Sequence, residues 1–330
     1  MKRRLNKALY YYKREGVTGL AYAILRSVLL YPRGRYRSWR WERYLRKEDG
    51  VVNIPGGLRL RLNRQDAGLS VELASEGRHE PILTGLLERF IRRGATVVDV
   101  GANLGYFALV AARAAGESGK VIALEPSPTS YELLLQNLQL NKATNVYARN
   151  EAAGDQPGEA ALYLFREANW NSLLDQDKSA LGSVMVRVLA LDDLLADEHR
   201  VDVVRMDVEG YEGRVLAGMR RVLQQKKPLI VAEIHALSAP EDFAGFFRIL
   251  SAFEYEVLSC YPRIKDELYW GRVLARRATL LEKPAIDELM RDRRLVEFKE
   301  DFTALFQHKS VSQGPNAVYT DAEFPIASNT

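Results

Sequence analysis

Apolar residues along this chain fall into short β-branched runs separated by helical stretches. Val97, Val98 and Val100 form a run of the kind buried in a parallel strand, and Phe107-Ala-Leu-Val-Ala-Ala-Arg-Ala-Ala opens a helical pattern just after it. The alternation continues downstream. Strands are expected near 96–100, 120–125, 145–149, 201–206, 228–234, 254–260 and 273–281, with helices at 127–141, 212–225 and 241–252. Strand and helix in repeated succession predict a doubly wound, mostly parallel α/β sheet of seven strands. Ahead of it, Val51-Val-Asn-Ile and Leu58-Arg-Leu-Arg-Leu, separated by Pro55-Gly56-Gly57, predict a hairpin, and Pro81 to Arg92 an amphipathic helix. Within 160–187, two short strands flanking Asn169-Trp170-Asn171-Ser172 predict an inserted hairpin. Leu295, Phe298, Phe302, Leu305 and Phe306 predict a helix within 286–306, and the polar stretch from Ser310 reads as disordered.

Three segments follow from this pattern. Residues 1–49 form an arm with helical character, 50–283 the sheet domain with its lead-in (50–95) and insertion (160–187), and 284–330 a helix and tail. Charge sharpens the first boundary. The chain carries a net +4, but residues 1–50 hold fourteen Lys/Arg against four Asp/Glu, a net +10, which leaves −6 for the rest. Tyr10, Tyr11, Tyr12, Tyr22, Tyr31, Tyr36, Trp39, Trp41 and Tyr44 interleave those basic residues. Leu20, Ala21, Ile24, Val28 and Tyr31 sit at helical spacing in a stretch too short to span a bilayer. Two readings of the arm stay open: packing on the domain or a second subunit as a homo-oligomer, and peripheral contact with the inner face of a membrane. The single cysteine, Cys260, excludes a disulfide framework within the chain and an all-cysteine zinc site, and is compatible with a cytoplasmic setting.

The chemistry centres on 96–107. Asp99-x-Gly101-x-Asn103-x-Gly105-Tyr106 lies where the first sheet strand gives way to a helix, and its glycines let backbone approach a ligand closely. Twenty residues past Gly105, Val121-Ile-Ala-Leu ends in Glu125, an acidic group suited to the two hydroxyls of a ribose. The dinucleotide fingerprint Gly-x-Gly-x-x-Gly is broken here by Asn103, and Asp99 would repel a pyrophosphate. A carboxylate at that point instead attracts a cationic ligand with an amino group and a sulfonium. This is the arrangement of S-adenosylmethionine-dependent methyltransferases of the Rossmann-like class. Further on, Met206-Asp207-Val-Glu209-Gly and Ala232-Glu233-Ile-His235 end two strands in acidic groups and an imidazole. Strand alternation points Glu233 and His235 to one face, and ligands in such sheets bind at the carboxyl ends of the strands.

These residues carry a family resemblance. Val97 to Phe107, Leu191-Asp-Asp-Leu-Leu, Met206-Asp-Val-Glu-Gly and Ala232-Glu-Ile-His together resemble the FkbM family of methyltransferases over roughly residues 90–260, about half the chain. The resemblance implies S-adenosylmethionine-dependent O-methylation of sugar hydroxyls in glycans or of polyketide-type metabolites, leaving S-adenosylhomocysteine. It implies that Asp99, Gly101 and Gly105 line the methionine end of the cofactor, within a loop that includes Asn103 and Tyr106. Glu125 would hold the ribose, and Asn150 and Glu151 stand on the adenine side. The arm and the C-terminal segment lie outside it.

An alcohol attacks a methyl group in line only once its proton has a place to go, which calls for a base within hydrogen-bond reach. His235 is the first candidate, with Glu233 or Asp207 orienting it and the carboxylates as alternatives. Asp207, Glu209 and Glu233 could instead hold Mg²⁺, although helix capping by Glu209 and Glu212 is the better account of those acids. Asn169, Trp170 and Asn171 are candidates for stacking on and hydrogen-bonding an acceptor sugar. A nucleic-acid methyltransferase would use the basic arm, but Met-Asp-Val-Glu replaces the Asn-Pro-Pro-aromatic stretch of amino-methylating enzymes. An NAD-dependent Rossmann oxidoreductase is disfavoured by Asn103 and Asp99, and a non-catalytic binding module by the intact motifs.

Overall fold

The computed structural model describes residues 17, 34–174, 180–235, 240–262 and 302–312. After helix α1 (34–45) come β1 (Val51–Ile54), β2 (Leu58–Arg61), α2 (Leu69–Glu76) and α3 (Pro81–Phe90). The sheet domain then alternates β3 (Thr96–Val100), α4 (Tyr106–Ala115), β4 (Lys120–Leu124), α5 (Pro128–Leu140) and β5 (Val146–Arg149). An insertion follows, with β6 (Ala152–Ala153), β7 (Gly158–Leu164) and β8 (Gly182–Leu189). The second half contains α6 (Leu191–Leu194), β9 (Val203–Met206), α7 (Glu212–Ala217), α8 (Arg220–Gln225), β10 (Leu229–Ile234), α9 (Pro240–Ala252), β11 (Tyr255–Pro262), β12 (Phe302–His308) and α10 (Lys309–Ser312).

Seven strands form one sheet in the order β11-β12-β10-β9-β3-β4-β5. β3 pairs in parallel with both β4 and β9, so the winding reverses at β3 and a crevice opens above its carboxyl end. The fold is Rossmann-like α/β, mostly parallel, as the alternation predicts. Period-two alternation splits the core between the two faces. Val97, Val121, Val203 and Val231 pack under α2–α5, whereas Val98, Ile122, Val204 and Ile230 pack under α7–α9.

The seventh strand differs from expectation. The expected strand at 273–281 lies outside the described residues, as do Leu295 and Phe298 of the expected helix. Phe302–His308, expected to end that helix, is instead a strand inserted antiparallel between β10 and β11. Leu305 faces one side of the sheet and Ala304 and Phe306 the other. A short apolar run fits a helix or a strand equally well, and tertiary pairing decides.

The expected helix 212–225 is two helices broken at Gly218-Met219, because the backbone of Gly218 crosses that of Gly154 where a Cβ would overlap Gly154 O. The inserted hairpin is wider than its sequence signal. β7 and β8 pair from Gly158↔Val188 to Leu164↔Gly182, and β6 adds a third strand.

The lead-in hairpin is joined to the domain through its free edge. Asn137, wholly buried on α5, accepts from the Arg61 N–H at 2.6 Å and donates to Arg61 O and Leu104 O at 3.0 and 2.8 Å. One turn on, Asn141 repeats the pattern on Arg59, at 2.9 and 2.6 Å. A strand edge with unsatisfied amides is thereby closed by two side chains at i, i+4 spacing, and the Leu104 contact ties it to the glycine loop.

In α1, Tyr44 is buried, donates to Gly50 O and Leu62 O, and stacks on Trp41 at 5.1 Å. This stretch of the arm packs on the domain, leaving Tyr36 and Trp39 exposed. The apolar stretch 17–31, beyond Val17, and the residues after Ser312 fall outside the described residues. Among the described residues, no helix is long and apolar enough to cross a membrane.

Candidate active site

A cavity of about 860 Å³, open mouth included, sits above the carboxyl end of β3. Its floor is the turn after β3, residues Gly101–Asn103. Gly101 has φ +82 and Gly105 φ +92, a left-handed backbone that glycine adopts without strain. A Cβ on Gly101 would overlap Asp207 O, so the turn passes directly against the end of β9. Asn103 takes φ +50, which asparagine tolerates better than most residues.

Glu125, just past β4, also lines the cavity. One carboxylate oxygen accepts from the Asn103 N–H at 2.7 Å and the other from the Ser127 N–H at 2.8 Å. Burial pushes its pKa up to about 7, against the two backbone donors and with help from Asp99 and Asp207. Glu151 also lines the cavity, paired with Arg149 and Arg187. Asn150 does not line it. Its amide donates to Glu125 O and Pro126 O and so fixes the loop that presents Glu125.

Asp99 lies beneath the turn rather than on the cavity wall. Its Oδ1 is 3.1 Å from Arg205 Nη1, its neighbour across the β3–β9 pair, and its buried Oδ2 has no hydrogen-bond partner. Burial raises the Asp99 carboxyl above its ordinary value and Arg205 opposes the rise. Arg205 also donates to Gly101 O at 3.0 Å and to Asp207 Oδ2 at 2.8 Å, and stacks over Phe107 at 4.5 Å. Burial works against its charge, but Asp99 and Asp207 outweigh it and hold Arg205 cationic. The charge at this point of the site is therefore a relay of two carboxylates about one guanidinium, not a lone aspartate.

The β9 and β10 motifs converge as alternation predicts. His235, 3 % exposed, has Nδ1 2.9 Å from Glu212 Oε1, and Nε2 3.2 Å from Glu209 Oε2, 3.3 Å from Glu233 Oε1 and 3.9 Å from Asp207 Oδ1. Burial alone would lower its pKa, but Glu209 and Glu212, then Asp207, outweigh burial and push it up to about 10. While no ion is bound, these carboxylates favour the charged ring, which weighs against His235 as the base. Asp207 and Glu209 reach the cavity wall, whereas Glu233 and His235 stand behind them.

The lead-in and the insertion together close another side of the cavity. Asp66 Oδ1 accepts from the Gly68 and Ala168 N–H groups, and Ser172 Oγ donates to Glu209 O at 2.9 Å. Asn169 and Asn171 line the cavity, and the buried Asn169 Oδ1 has no hydrogen-bond partner. Trp170 does not line it and is half-exposed.

Two residues here went without a role in the sequence reading. Arg205 does carry a signal, a lone cation inside an apolar strand. His79, which lines the cavity and contacts Glu72 Oε2 at 3.0 Å, carries none, because α2 and α3 bring it there.

The structure thus joins a Rossmann-like sheet, a glycine turn, an acidic group at the tip of its second strand and a rim of carboxylates in one α/β domain. The methyltransferase FkbM domain matches residues 99–257, and this segment belongs to that family. The chain is 30% identical over 149 residues to hexuronic acid methyltransferase AglP of Haloferax volcanii, covering 44% of this chain and 57% of that one. It is 28% identical over 144 residues to methyltransferase 1 of Beauveria bassiana, covering 37% of this chain and 57% of that one. The chain thus spans less than two thirds of these relatives' length. Among solved structures, methyltransferase FkbM from Methylobacillus flagellatus KT is similar at 18% identity and TM-score 0.36, over 57% of this chain and 48% of that one.

Proposed function

We propose that this chain is an S-adenosylmethionine-dependent O-methyltransferase acting on a hydroxyl of a sugar, glycan or related metabolite. The observation that carries the reading is Glu125, a buried carboxylate fixed by two backbone donors in a cavity that Asp207 and Glu209 also line. When bound, S-adenosylmethionine supplies an electrophilic methyl group. Its fit to these residues rests on Glu125 for the ribose hydroxyls, on Glu151 at the adenine side and on the close backbone of Gly101–Asn103. Asp99, beneath the turn and paired with Arg205, adds negative charge under the cationic end of the ligand.

The protein's own work is orientation and proton removal. Asn169 and Asn171 offer amide groups to acceptor hydroxyls, and the buried Asn169 Oδ1 gains a hydrogen bond there. Glu209, which lines the cavity beside Asp207, takes the acceptor proton, with His235 3.2 Å behind it to steady its charge. The name of the Haloferax volcanii relative supports a uronic acid or similar sugar as acceptor.

The test is methyl transfer from labelled S-adenosylmethionine to hexuronic-acid oligosaccharides, read by mass spectrometry. A product heavier by one CH₂ is expected, with kcat about 10²- to 10⁴-fold lower in Glu209→Gln. Transfer to nucleic acid and not to sugars would replace this acceptor class.

A further inference from the structure

We propose that Asp207, Glu233 and His235 bind a divalent metal ion that accepts imidazole as well as carboxylate, with Mn²⁺ and Zn²⁺ the fitting ions. β9 and β10 are parallel neighbours paired at Met206↔Ala232, so the residues just after that pair reach the same rim. Each of the three offers one ligand atom, and these atoms all lie within 4.8 Å of one another. Atoms bound to one ion at about 2.1 Å stand roughly 3.0 to 4.2 Å apart. His235 Nε2 is 3.3 Å from Glu233 Oε1 and 3.9 Å from Asp207 Oδ1.

The imidazole separates this cluster from a plain group of acids. Its Nε2 is buried, makes no hydrogen bond and points among the carboxylates. On the far side of the ring, Nδ1 stands 2.9 Å from Glu212 Oε1. A carboxylate there accepts the Nδ1 proton and leaves the Nε2 lone pair for a metal, the usual support of a metal-bound histidine. Arg205 holds Asp207 Oδ2 in the same way and turns Oδ1 toward the cluster. Glu209 Oε2, 3.2 Å from Nε2, supplies a further oxygen at the edge of the site. Oxygen ligands alone would suit Mg²⁺, and the nitrogen shifts the preference to Mn²⁺ or Zn²⁺. Because Asp207 reaches the cavity wall, the ion would stand beside the acceptor. That placement rests on the methyl-transfer reading, whereas ion binding does not.

The experiment titrates the metal-stripped full chain with MnCl₂, ZnCl₂ and MgCl₂ in separate runs without any nucleoside, by calorimetry and, for Mn²⁺, by loss of the free-ion paramagnetic signal. One Mn²⁺ or Zn²⁺ per chain is expected, bound more tightly than Mg²⁺. Glu233→Gln should weaken binding at least tenfold, and Glu212→Gln, which touches no ion, by about 10- to 100-fold. Circular dichroism melts establish that each variant is folded, and Glu212→Gln decides alone if Glu233→Gln is not. Failure of the folded wild type to bind either ion would overturn the proposal. So would tighter binding of Mg²⁺, or unchanged affinity in the folded variants. A chain that binds metal but fails to transfer methyl groups would leave the site standing and remove the methyltransferase reading.

Discussion

Arg205 faces Asp99 across the β3–β9 pair, Nη1 to Oδ1 at 3.1 Å, with its second nitrogen on Asp207. This one buried cation neutralises the floor of the glycine turn and holds Gly101 O, so turn and rim share a single electrostatic centre.

Replacing Arg205 with Met keeps most of the packing on Phe107 and leaves Asp99 and Asp207 without their cation. Breaking a buried pair from one side costs about 3–5 kcal/mol. Urea unfolding should register that loss. A variant within about 0.5 kcal/mol of wild type, the range of inconsequential surface changes, would show that Arg205 is not the centre described.

Glu125 makes nucleoside binding depend on pH. Its value in the folded chain, about 7, lies above the ordinary 4.5, so the native state retains a proton that the unfolded state has lost. This group's contribution to stability is accordingly full below about 4.5 and is lost as the pH rises through about 7. Ribose hydroxyls donate to the carboxylate form, so binding at pH 6 should release a proton. Calorimetry of S-adenosylhomocysteine binding in buffers of differing ionisation enthalpy measures it. Release should fade above pH 8 and vanish in Glu125→Gln; identical proton counts for both proteins at pH 6 would contradict the role of Glu125.

Asn137→Leu removes three hydrogen bonds and strands the Arg61 amide and carbonyl and the Leu104 carbonyl. The buried Leu104 carbonyl costs about 1–3 kcal/mol without its partner and the Arg61 groups, which water can reach, add less, so a total loss of roughly 2–4 kcal/mol is expected. Hydrogen exchange should accelerate at Arg61. Full protection there would mean that the hairpin is held by other contacts.

Gly101→Ala places a Cβ into Asp207 O at a left-handed backbone position. The turn must shift, and affinity for S-adenosylhomocysteine should fall at least tenfold even where the chain stays folded. Wild-type affinity in this variant would refute the close contact between the turn and β9.

Much of this was legible from the chain alone, for physical reasons. Val97, Val98 and Val100, and Val121–Leu124, are short β-branched or aliphatic runs bounded by turn signals and followed by helical patterns, which favours buried parallel strands, and Gly101 and Glu125 follow at their ends. Alternation along β10 likewise paired Glu233 with His235. Phe302–His308 was not legible because seven residues with apolar groups at both periods carry no preference. The upward pull on the His235 pKa comes chiefly from Glu209 and Glu212, and the left-handed turn at Glu209 (φ +52) that helps place them is announced by no residue pattern. His79 reaches the cavity through the packing of two helices outside the motif, beyond the reach of spacing arguments.

The central claim is that the cavity above β3 takes S-adenosylmethionine with its ribose on Glu125. Calorimetric titration of the full chain with S-adenosylhomocysteine, beside Glu125→Gln and beside NAD, tests it most directly. One thioether ligand should bind per chain, at least tenfold more weakly in the variant, with no heat from NAD. Binding of NAD in its place, or of S-adenosylhomocysteine with equal affinity to both proteins, would contradict the account.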